Sequence, residues 1–390
     1  MLICDPTLFL VSRTDSKNAT FKTIHVQTGS AKESQPAGDS NKATEQMGNQ
    51  TLITEFIFLG FSNHPELQML FFLVFLVIYM VTLLGNALIL TLIKTDPSLQ
   101  KPMYFFLSNL SFLDICYTSA TIPVMLVNFF QSRKTISYAG CITQLFFLIT
   151  CAGTECVLLA VMAYDRYVAI CSPLHYLSVM SRRVSVQLAG FSWLCGLVNS
   201  LVHTLLTSTL AICKSNQLSH FFCDVPLLLK LSCSETYINE TVLHLASALI
   251  GLSPCLFTLV SYVLIVGAIL KIRSAKGRFK AFSTCTSHLV VVIIFYGTAN
   301  FNYNRPSSGY SLDVDTLVSS LYCIVTPMLN PLIYSLRNKE VKDALKRMGR
   351  KYFPSVPEPS NRQGTLVPLQ IENVCINSVS GHNQSMLNLQ

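Results

Sequence analysis

The stretch "ECVLLAVMAYDRYVAIC", from Glu155 to Cys171, is apolar enough to lie in lipid but contains charged residues. It carries a carboxylate at Glu155 and an adjacent acid and base at Asp165 and Arg166. The whole chain is 51% hydrophobic and only 12% charged, well below the charge of an ordinary soluble domain. Because an ionisable group in the bilayer core costs at least ~2.5 kcal/mol, these charges mark functional positions by default.

Apolar stretches of membrane-spanning length, ~20 residues, recur along the chain. The seven stretches are roughly Leu70–Ile93, Met103–Val127, Cys141–Tyr164, Val186–Thr209, Leu243–Ile272, Ala281–Phe301 and Val314–Leu336. Buried helices of a soluble protein are the alternative, but these would be shorter and would alternate with polar faces. The pattern therefore predicts an all-α membrane protein, a bundle of seven transmembrane helices.

Lysine and arginine indicate the orientation of this bundle. They concentrate in the loops on the side of Arg166 and in the segment after the last stretch, and they are sparse on the other side. By the positive-inside rule, the C-terminus is cytoplasmic and the N-terminus is outside. The net charge of +8 is therefore an orientation signal. A nucleic-acid-binding patch is disfavoured because the cations are divided among short loops.

The segments that flank the bundle differ in character. The N-terminal region is polar and rich in Ser, Thr, Lys and Gln, which predicts disorder. After the bundle, Val341, Leu345 and Met348 recur at helical spacing among basic residues, which predicts a short amphipathic helix on the inner membrane surface. A soluble basic tail is the alternative. The predicted organisation is 1–69, extracellular and largely disordered; 70–337, the seven-helix domain; 338–352, the amphipathic helix; and 353–390, a disordered cytoplasmic tail.

The outer side carries two kinds of residue that suit an oxidising compartment. Four cysteines lie there and allow three disulfide pairings, which sequence spacing does not distinguish. They are Cys141, Cys213, Cys223 and Cys233. A zinc site that uses His220 is an alternative, disfavoured in that compartment. Acceptor triplets for N-glycosylation begin at Asn18, Asn49 and Asn239, although such triplets are also common by chance.

Polar residues inside the predicted spans lie at similar depths. Asp114 and Glu155 are each about 15 Å from the inner end of their spans, at a rise of ~1.5 Å per residue. Asn86 and Asn330 lie at nearby depths in the first and seventh spans. Such an oxygen-rich pocket suits a sodium ion or one shared proton. A static polar network that holds the helices together is the alternative.

Asp165, Arg166 and Tyr167 lie at the inner end of the third span, where an arginine reaches water or a partner. The acid could hold Arg166 until a partner withdraws it.

At this point the sequence resembles a known family. "MAYDRYVAIC" (Met162–Cys171) is similar to the signature of olfactory receptors, within the rhodopsin-like G-protein-coupled receptors. Similar segments follow in family order: "GN" at 85–86, "PMYFFLSNLSFLD" at 102–114, "SPLHY" at 172–176, "SY" at 261–262, "KAFSTCTSHL" at 280–289, "FYG" at 295–297 and "PMLNPLIYSLRN" at 327–338.

The resemblance covers about Asn49 to Lys351, with small departures. Leu99-Gln100 stands where the family usually has Leu-His. The family typically starts near Met47, so residues 1–46 would be an upstream extension.

The resemblance implies roles for individual residues. It pairs Cys141 with Cys223 and Cys213 with Cys233, which would fold the long outer loop into a lid. It assigns Arg166, with its neighbours Asp165 and Tyr167, to G-protein coupling and activation. Tyr262 and Tyr334 would rearrange with Arg166, and Asn330 and Pro331 would lie where the seventh span bends. It also favours the sodium-or-proton interpretation of Asn86, Asp114 and Glu155, and it implies no other cofactor.

The resemblance further implies a ligand site in the outer half of the bundle. The matching positions are Leu148, Ile149, Ala152, Gly153, Ser247, Ile250, Tyr296, Ala299, Asn300 and Tyr303. Helix packing is the alternative role for several of them. A wall of this composition suits a small, mostly apolar, neutral molecule with one or two hydrogen-bonding groups.

The expected protein is a multi-pass plasma-membrane odorant receptor and not an enzyme. Its partners would be a small volatile ligand, the lipid bilayer and a stimulatory olfactory-type G protein that raises cyclic AMP, with no nucleic acid. A chemosensory receptor of the same family outside olfactory tissue is one alternative. A proton-coupled carrier that uses Asp114 and Glu155 is another, although such folds often show repeated halves and the sequence shows no second copy of these segments.

Overall fold

The computed structural model describes residues 54–60, 68–303 and 324–352, without the side chains of 284, 300–303, 335–337 and 352. In chain order its helices are α1 (Gln68–Thr95), α2 (Pro102–Phe130), α3 (Tyr138–Cys171), α4 (Tyr176–Val179), α5 (Arg182–Ser208), α6 (Val225–Leu231), α7 (Tyr237–Ala246), α8 (Ser253–Leu270), α9 (Ala275–Tyr303), α10 (Thr326–Arg337) and α11 (Lys339–Tyr352). A π-helical turn, Ser247–Leu252, joins α7 to α8. The strands are β1 (Glu55–Phe58), β2 (Thr135–Ser137) and β3 (Gln217–Leu218).

Six helices of the described part are long and apolar enough to cross a membrane. They are α1, α2, α3, α5, the continuous helix Tyr237–Leu270, and Ala275–Ala299 within α9. They correspond in order to the first six predicted spans. For the seventh, α10 covers the second half of the predicted stretch, and residues 314–323 lie outside the described residues.

The helices extend beyond the predicted spans because polar residues cap their ends. Ser137 caps α3, and its hydroxyl accepts a hydrogen bond from the Gly140 N–H at 3.1 Å. Ser181 caps α5 in the same way. Such caps satisfy backbone donors that the first turn leaves unpaired. An apolar run does not contain these capping turns, so it underestimates helix length.

The third helix lies at the centre of the packing. It contacts α2, α5, α8 and α9, while α1 packs against α2 and α10. Large apolar side chains remain exposed on the opposite faces of the outer helices, for example Leu73, Val77 and Leu84 on α1. In a lipid environment this arrangement places apolar groups on both sides of each helix.

A small sheet covers one end of the bundle, which we call the outer end. β1 lies between the other two strands, antiparallel to β2 and parallel to β3. Phe56 and Phe58 are buried in an apolar cluster that includes Leu145 and Leu218. Within the segment 1–69, which was predicted to be largely disordered, residues 54–60 thus have a defined position, because alternate phenylalanines bury one face of this strand.

The last helix is held against the opposite, inner end. The Glu340 carboxylate pairs with the Lys101 ammonium at 2.8 Å and accepts a hydrogen bond from the Tyr104 hydroxyl at 2.9 Å. Burial alone would raise the pKa of Glu340, but these two donors hold it below its ordinary value. Farther along α11, Arg347 pairs with Asp96 at 2.7 Å. The amphipathic helix is thus attached to the loop between α1 and α2.

Candidate functional site

The outer half of the bundle contains a cavity of about 100 Å³. Its walls come from α3, α5, the outer loop, the π turn and α9. The lining residues are Ile149, Ala152, Gly153, Cys156, Asn199, His203, Asp224, Val225, Leu243, Ala246, Ser247, Ile250, Gly251, Tyr296 and Ala299. The volume is comparable to that of apolar cavities that hold a benzene-sized molecule, ~150 Å³. The cavity is therefore of a size for compact ligands.

Most of the predicted ligand positions lie in this wall. The structure brings together Ile149, Ala152, Gly153, Ser247, Ile250, Tyr296 and Ala299. The side chains of Asn300 and Tyr303 lie outside the described part of α9.

The predicted ligand residue Leu148 does not line the cavity. It is buried in the apolar core of the bundle. Along α3, the lining residues Ile149, Ala152, Gly153 and Cys156 form one helix face, and Leu148 lies at the edge of that face, one turn before Ala152, where it packs into the core.

Three polar lining residues were not predicted. Asn199 and His203 lie one helical turn apart on α5, so both face the same way. Asp224 follows Cys223 directly in the outer loop. Helical spacing was the available signal for the first two, whereas the position of Asp224 depends on the disulfide of its neighbour. Together they make the wall more polar than the sequence indicated.

Disulfides fix the outer loop over the cavity. Cys141 at the start of α3 is bonded to Cys223, and Cys213 is bonded to Cys233, the pairs that the resemblance implies. The Cys223 N–H donates to the Gln144 side-chain oxygen at 2.9 Å, which fastens the loop to α3 a second time. The loop residues that follow Cys223 therefore have defined positions in the cavity wall.

The buried carboxyl group of Asp224 has an unusual environment. Its Oδ1 accepts a hydrogen bond at 2.8 Å from the Val225 N–H, and the residue caps α6. Burial raises the pKa of Asp224 to about 7, against the lowering effect of that hydrogen bond. At neutral pH this carboxyl group therefore exists in both protonation states.

Close backbone packing between α3 and α5 shapes the floor of the cavity. Gly153 faces Gly196 across this contact, and a Cβ on Gly153 would lie 3.2 Å from the Gly196 Cα. The Ser200 hydroxyl donates to the Phe146 carbonyl at 2.6 Å and joins the same two helices. From α9, the Tyr296 hydroxyl donates to the Cys156 carbonyl at 2.6 Å.

Below the cavity lies the predicted polar cluster. The Asn330 amide donates to both oxygens of Asp114, at 3.0 and 3.2 Å, and the Asn86 amide donates to the Pro327 carbonyl at 3.3 Å. Glu155 lies close enough to Asp114 for their charges to interact. One side-chain oxygen each of Asn86, Glu155 and Asn330 is buried without a hydrogen-bond partner among the described residues. These oxygens are of the type that a hard cation or a proton prefers.

The inner end contains a second cavity, of about 690 Å³, with Arg166 and Tyr334 in its wall. The neighbouring Asp165 carboxylate accepts a hydrogen bond from the Tyr176 hydroxyl at 2.8 Å. Tyr167 stacks against Tyr164 with ring centroids 6.4 Å apart. The structure thus places two predicted activation residues, Arg166 and Tyr334, in the wall of one opening, and Asp165 and Tyr167 flank Arg166 on α3.

Two helices contribute further predicted residues to the inner end. The Tyr262 hydroxyl on α8 lies 2.7 Å from the Nδ1 atom of His288 on α9. Sequence reasoning did not single out His288. Pro331 lies inside α10 and packs beside Gly85 of α1.

Of the predicted glycosylation positions, Asn18 and Asn49 lie outside the described residues. Asn239 lies in the first turn of α7, and its side-chain nitrogen is shielded from solvent. A glycan attaches through that nitrogen, so this conformation does not accommodate one at Asn239. The expectation was based on the triplet alone, which carries no information about burial.

Comparison with known proteins gives a consistent result. The family model described as "Olfactory receptor" matches residues 75–351. The chain is 52% identical to mouse olfactory receptor 5AR1 over 304 residues, which cover 78% of this chain and 98% of that protein. It is 53% identical to human olfactory receptor 5I1 over 307 residues, 79% of this chain and 98% of the relative. It is 49% identical to human olfactory receptor 2G3 over 302 residues, 77% and 98% respectively.

Proposed function

The chain belongs to the olfactory receptor family, and from this premise we propose how its two cavities divide the work of an odorant receptor. It is a multi-pass plasma-membrane receptor that signals and is not an enzyme. In the proposal, the bundle has seven spans with the N-terminus outside. A small apolar odorant occupies the outer cavity, and a stimulatory G protein binds at the inner cavity and raises cyclic AMP.

One observation carries this proposal: α9 contributes to both cavities. Tyr296 and Ala299 line the outer one, and Lys280, Ser287 and His288 line the inner one. If α9 can adopt two arrangements in the bundle, a ligand that binds one of them more tightly in the outer cavity therefore also changes the inner opening. The shift that it produces is limited by its differential affinity for the two states.

Two contacts in the middle of α9, eight residues apart, support this coupling. On the outer side, the Tyr296 hydroxyl holds α9 to the Cys156 carbonyl of α3. On the inner side, His288 holds α9 to Tyr262 of α8. A movement of α9 away from α3 would break the first contact, strain the second and widen the space around Arg166.

The polar cluster between the cavities is proposed as a sodium or proton site. Asn86, Asp114, Glu155 and Asn330 would hold the ion, because the unpaired buried oxygens of Asn86, Glu155 and Asn330 and the carboxylate of Asp114 fit a hard cation. The bound charge would bias the bundle toward one of its two states. We would measure the sodium and pH dependence of agonist potency with Asp114→Asn and Glu155→Gln. An unchanged dependence in both variants would refute this part of the proposal.

The test of the signalling proposal is cyclic AMP in cells that display the chain, across a panel of neutral volatile compounds. Arg166→Ala is expected to remove the response at equal surface level, because Arg166 lines the inner cavity. Arg183→Ala is the matched control, since Arg183 is an exposed arginine at the start of α5 outside that cavity. Equal responses from the two variants would contradict the assigned role of Arg166.

A further inference from the structure

Two titratable side chains from different elements face the outer cavity. Asp224 comes from the disulfide-bonded loop and His203 from α5, and both line the cavity. They are buried, with 9% and 4% of their surface exposed respectively. The other lining residues are mostly apolar. The uncharged polar side chains of the described wall are Asn199, Ser247 and Tyr296, so Asp224 is its one carboxyl group and His203 its one imidazole.

The known partners of these two groups leave hydrogen-bonding capacity unused. Asp224 accepts from the Val225 N–H through Oδ1, which leaves its second oxygen for another donor. His203 makes no hydrogen bond to the residues that the structure describes. The other titratable groups in the wall are Cys156 and Tyr296, and the Tyr296 hydroxyl donates to a backbone carbonyl. The described lining includes no lysine or arginine that could neutralise Asp224.

We propose that Asp224, assisted by His203, selects ligands that carry a hydrogen-bond donor: compact apolar alcohols or amines whose O–H or N–H donates to the Asp224 carboxylate. The inference rests on the proposed function, whose ligand class it narrows. It also changes the ligand chemistry that we expect. The sequence indicated a neutral wall with hydroxyls and an amide, and such a wall would suit an ether or ester as well as an alcohol.

The physical basis is the cost of an unpaired buried acceptor. An ionised carboxylate only accepts hydrogen bonds, so a ligand without a donor leaves its free oxygen unsatisfied. The resulting discrimination is roughly tenfold to a hundredfold in affinity. His203 can donate to the same ligand oxygen or accept from the same ligand nitrogen, since a neutral imidazole offers one donor and one acceptor.

The ionisation of Asp224 makes this selection dependent on pH. Burial raises its pKa to about 7, so the fraction able to accept from a donor ligand increases between pH 6 and pH 8. Because apparent affinity scales with the competent fraction, octylamine, whose ammonium group only donates, should bind about tenfold more weakly at pH 6 than at pH 8. An alcohol can also accept from the protonated carboxyl, so its affinity should fall by less. A ligand that only accepts should show the opposite trend, because the protonated carboxyl donates.

The experiment compares octan-1-ol with its isomer 1-methoxyheptane, which has the same atoms but no donor, and includes octylamine as a second donor ligand. Binding to the purified full-length chain is measured by the shift in its thermal denaturation, and signalling is measured by cyclic AMP, both at pH 6 and pH 8. Asp224→Asn keeps the cap of α6, because the amide oxygen still accepts from Val225, but it cannot ionise. Glu235→Gln, an exposed acid of the same loop, is the matched control.

The expected result is at least a tenfold preference for octan-1-ol or octylamine over the ether, with the pH dependence described above. Asp224→Asn should abolish the pH dependence, whereas Glu235→Gln should retain it. His203→Asn should weaken binding of the alcohol but leave its pH dependence intact. Equal binding of alcohol and ether, binding of neither donor ligand, or a pH dependence that survives Asp224→Asn would overturn the inference.

The two readouts separate this inference from the proposed function. Arg166-dependent responses to other volatile compounds, without a donor preference, would leave the receptor function intact and refute the selection by Asp224. Binding with a donor preference but without cyclic AMP would support the selection and refute the signalling proposal.

Discussion

The contact between α3 and α5 allows a sharp test by a single methyl group. In Gly196→Ala, the added Cβ would lie 2.5 Å from the Thr150 carbonyl oxygen and 2.8 Å from the Thr154 backbone nitrogen, and it would also overlap the Thr154 hydroxyl. Two of these three atoms belong to the backbone of α3. Rotation of a side chain therefore cannot relieve the overlap, and the helices must separate.

The magnitude follows from comparison with a second glycine on the same helix. A Cβ on Gly190 would meet nothing within 4 Å. Both Gly→Ala changes gain ~1 kcal/mol of helix propensity, so this contribution cancels in the difference. Overpacking a close contact costs about 1–3 kcal/mol. We therefore expect Gly196→Ala to be less stable than Gly190→Ala by that amount.

Thermal denaturation of the two purified variants in detergent measures this difference. At about 2–4 °C per kcal/mol, the denaturation temperatures should differ by roughly 2–12 °C. Ligand potency should fall only in Gly196→Ala, because its partner Gly153 lines the outer cavity. If Gly196→Ala were as stable as Gly190→Ala, the close approach of the two helices would be refuted.

Three further predictions concern other parts of the molecule. Phe56→Ala should destabilise the outer sheet by about 3–5 kcal/mol, because the Phe56 ring is fully buried. Ile57→Ala should destabilise it less, because the Ile57 side chain is partly exposed. Limited proteolysis of the N-terminal segment compares the two variants. Folding raises the pKa of Asp224 to about 7, so the folded state binds more protons than the unfolded state between pH 6 and pH 8. The free energy of unfolding should therefore decline by about 1.4 kcal/mol over this range in the wild type and stay constant in Asp224→Asn, as measured by denaturation. Arg347→Ala should lower the free energy of unfolding by less than ~1 kcal/mol and speed hydrogen exchange in α11, because it removes the ion pair with Asp96. Lys346→Ala, at an exposed neighbouring position, should leave the exchange unchanged. Equal exchange in the two variants would argue against the ion pair.

The sequence predicted the membrane-length helices because long apolar runs depend only on local composition. It missed β1, a strand of four residues whose partners lie far along the chain, in β2 and β3. Phe56 and Phe58 do alternate, but two aromatic residues without a visible partner do not predict a sheet. Pairing between distant segments is decided by the fold and cannot be seen in a local pattern.

The candidate ligand site likewise contains residues that the sequence indicates and residues whose position only the fold determines. The positions on α3 were implied by the family resemblance; Ile149, Ala152 and Gly153 line the cavity, whereas Leu148 lies at the edge of that helix face and packs in the core. Asp224 could not be anticipated, because its place in the wall depends on which cysteine bonds to Cys223. Asn199 and His203 share a helical spacing that the sequence shows, whereas Asp224 is placed by a covalent link between two distant segments.

The π turn at Ser247–Leu252 has a consequence for insertions and deletions. A π turn holds one more residue than an α turn, and such turns occur mostly at functional sites. Removing a single residue there would restore α geometry and leave the flanking helices close to their present orientation, because the wider turn is what accommodates the extra residue. The change would fall on the turn itself, which contributes Ser247, Ile250 and Gly251 to the cavity wall. A different set of side chains would then face the odorant, although no retained amino acid had been replaced. A change in chain length at this point could thus alter the range of odorants that a member of this family detects, without any substitution.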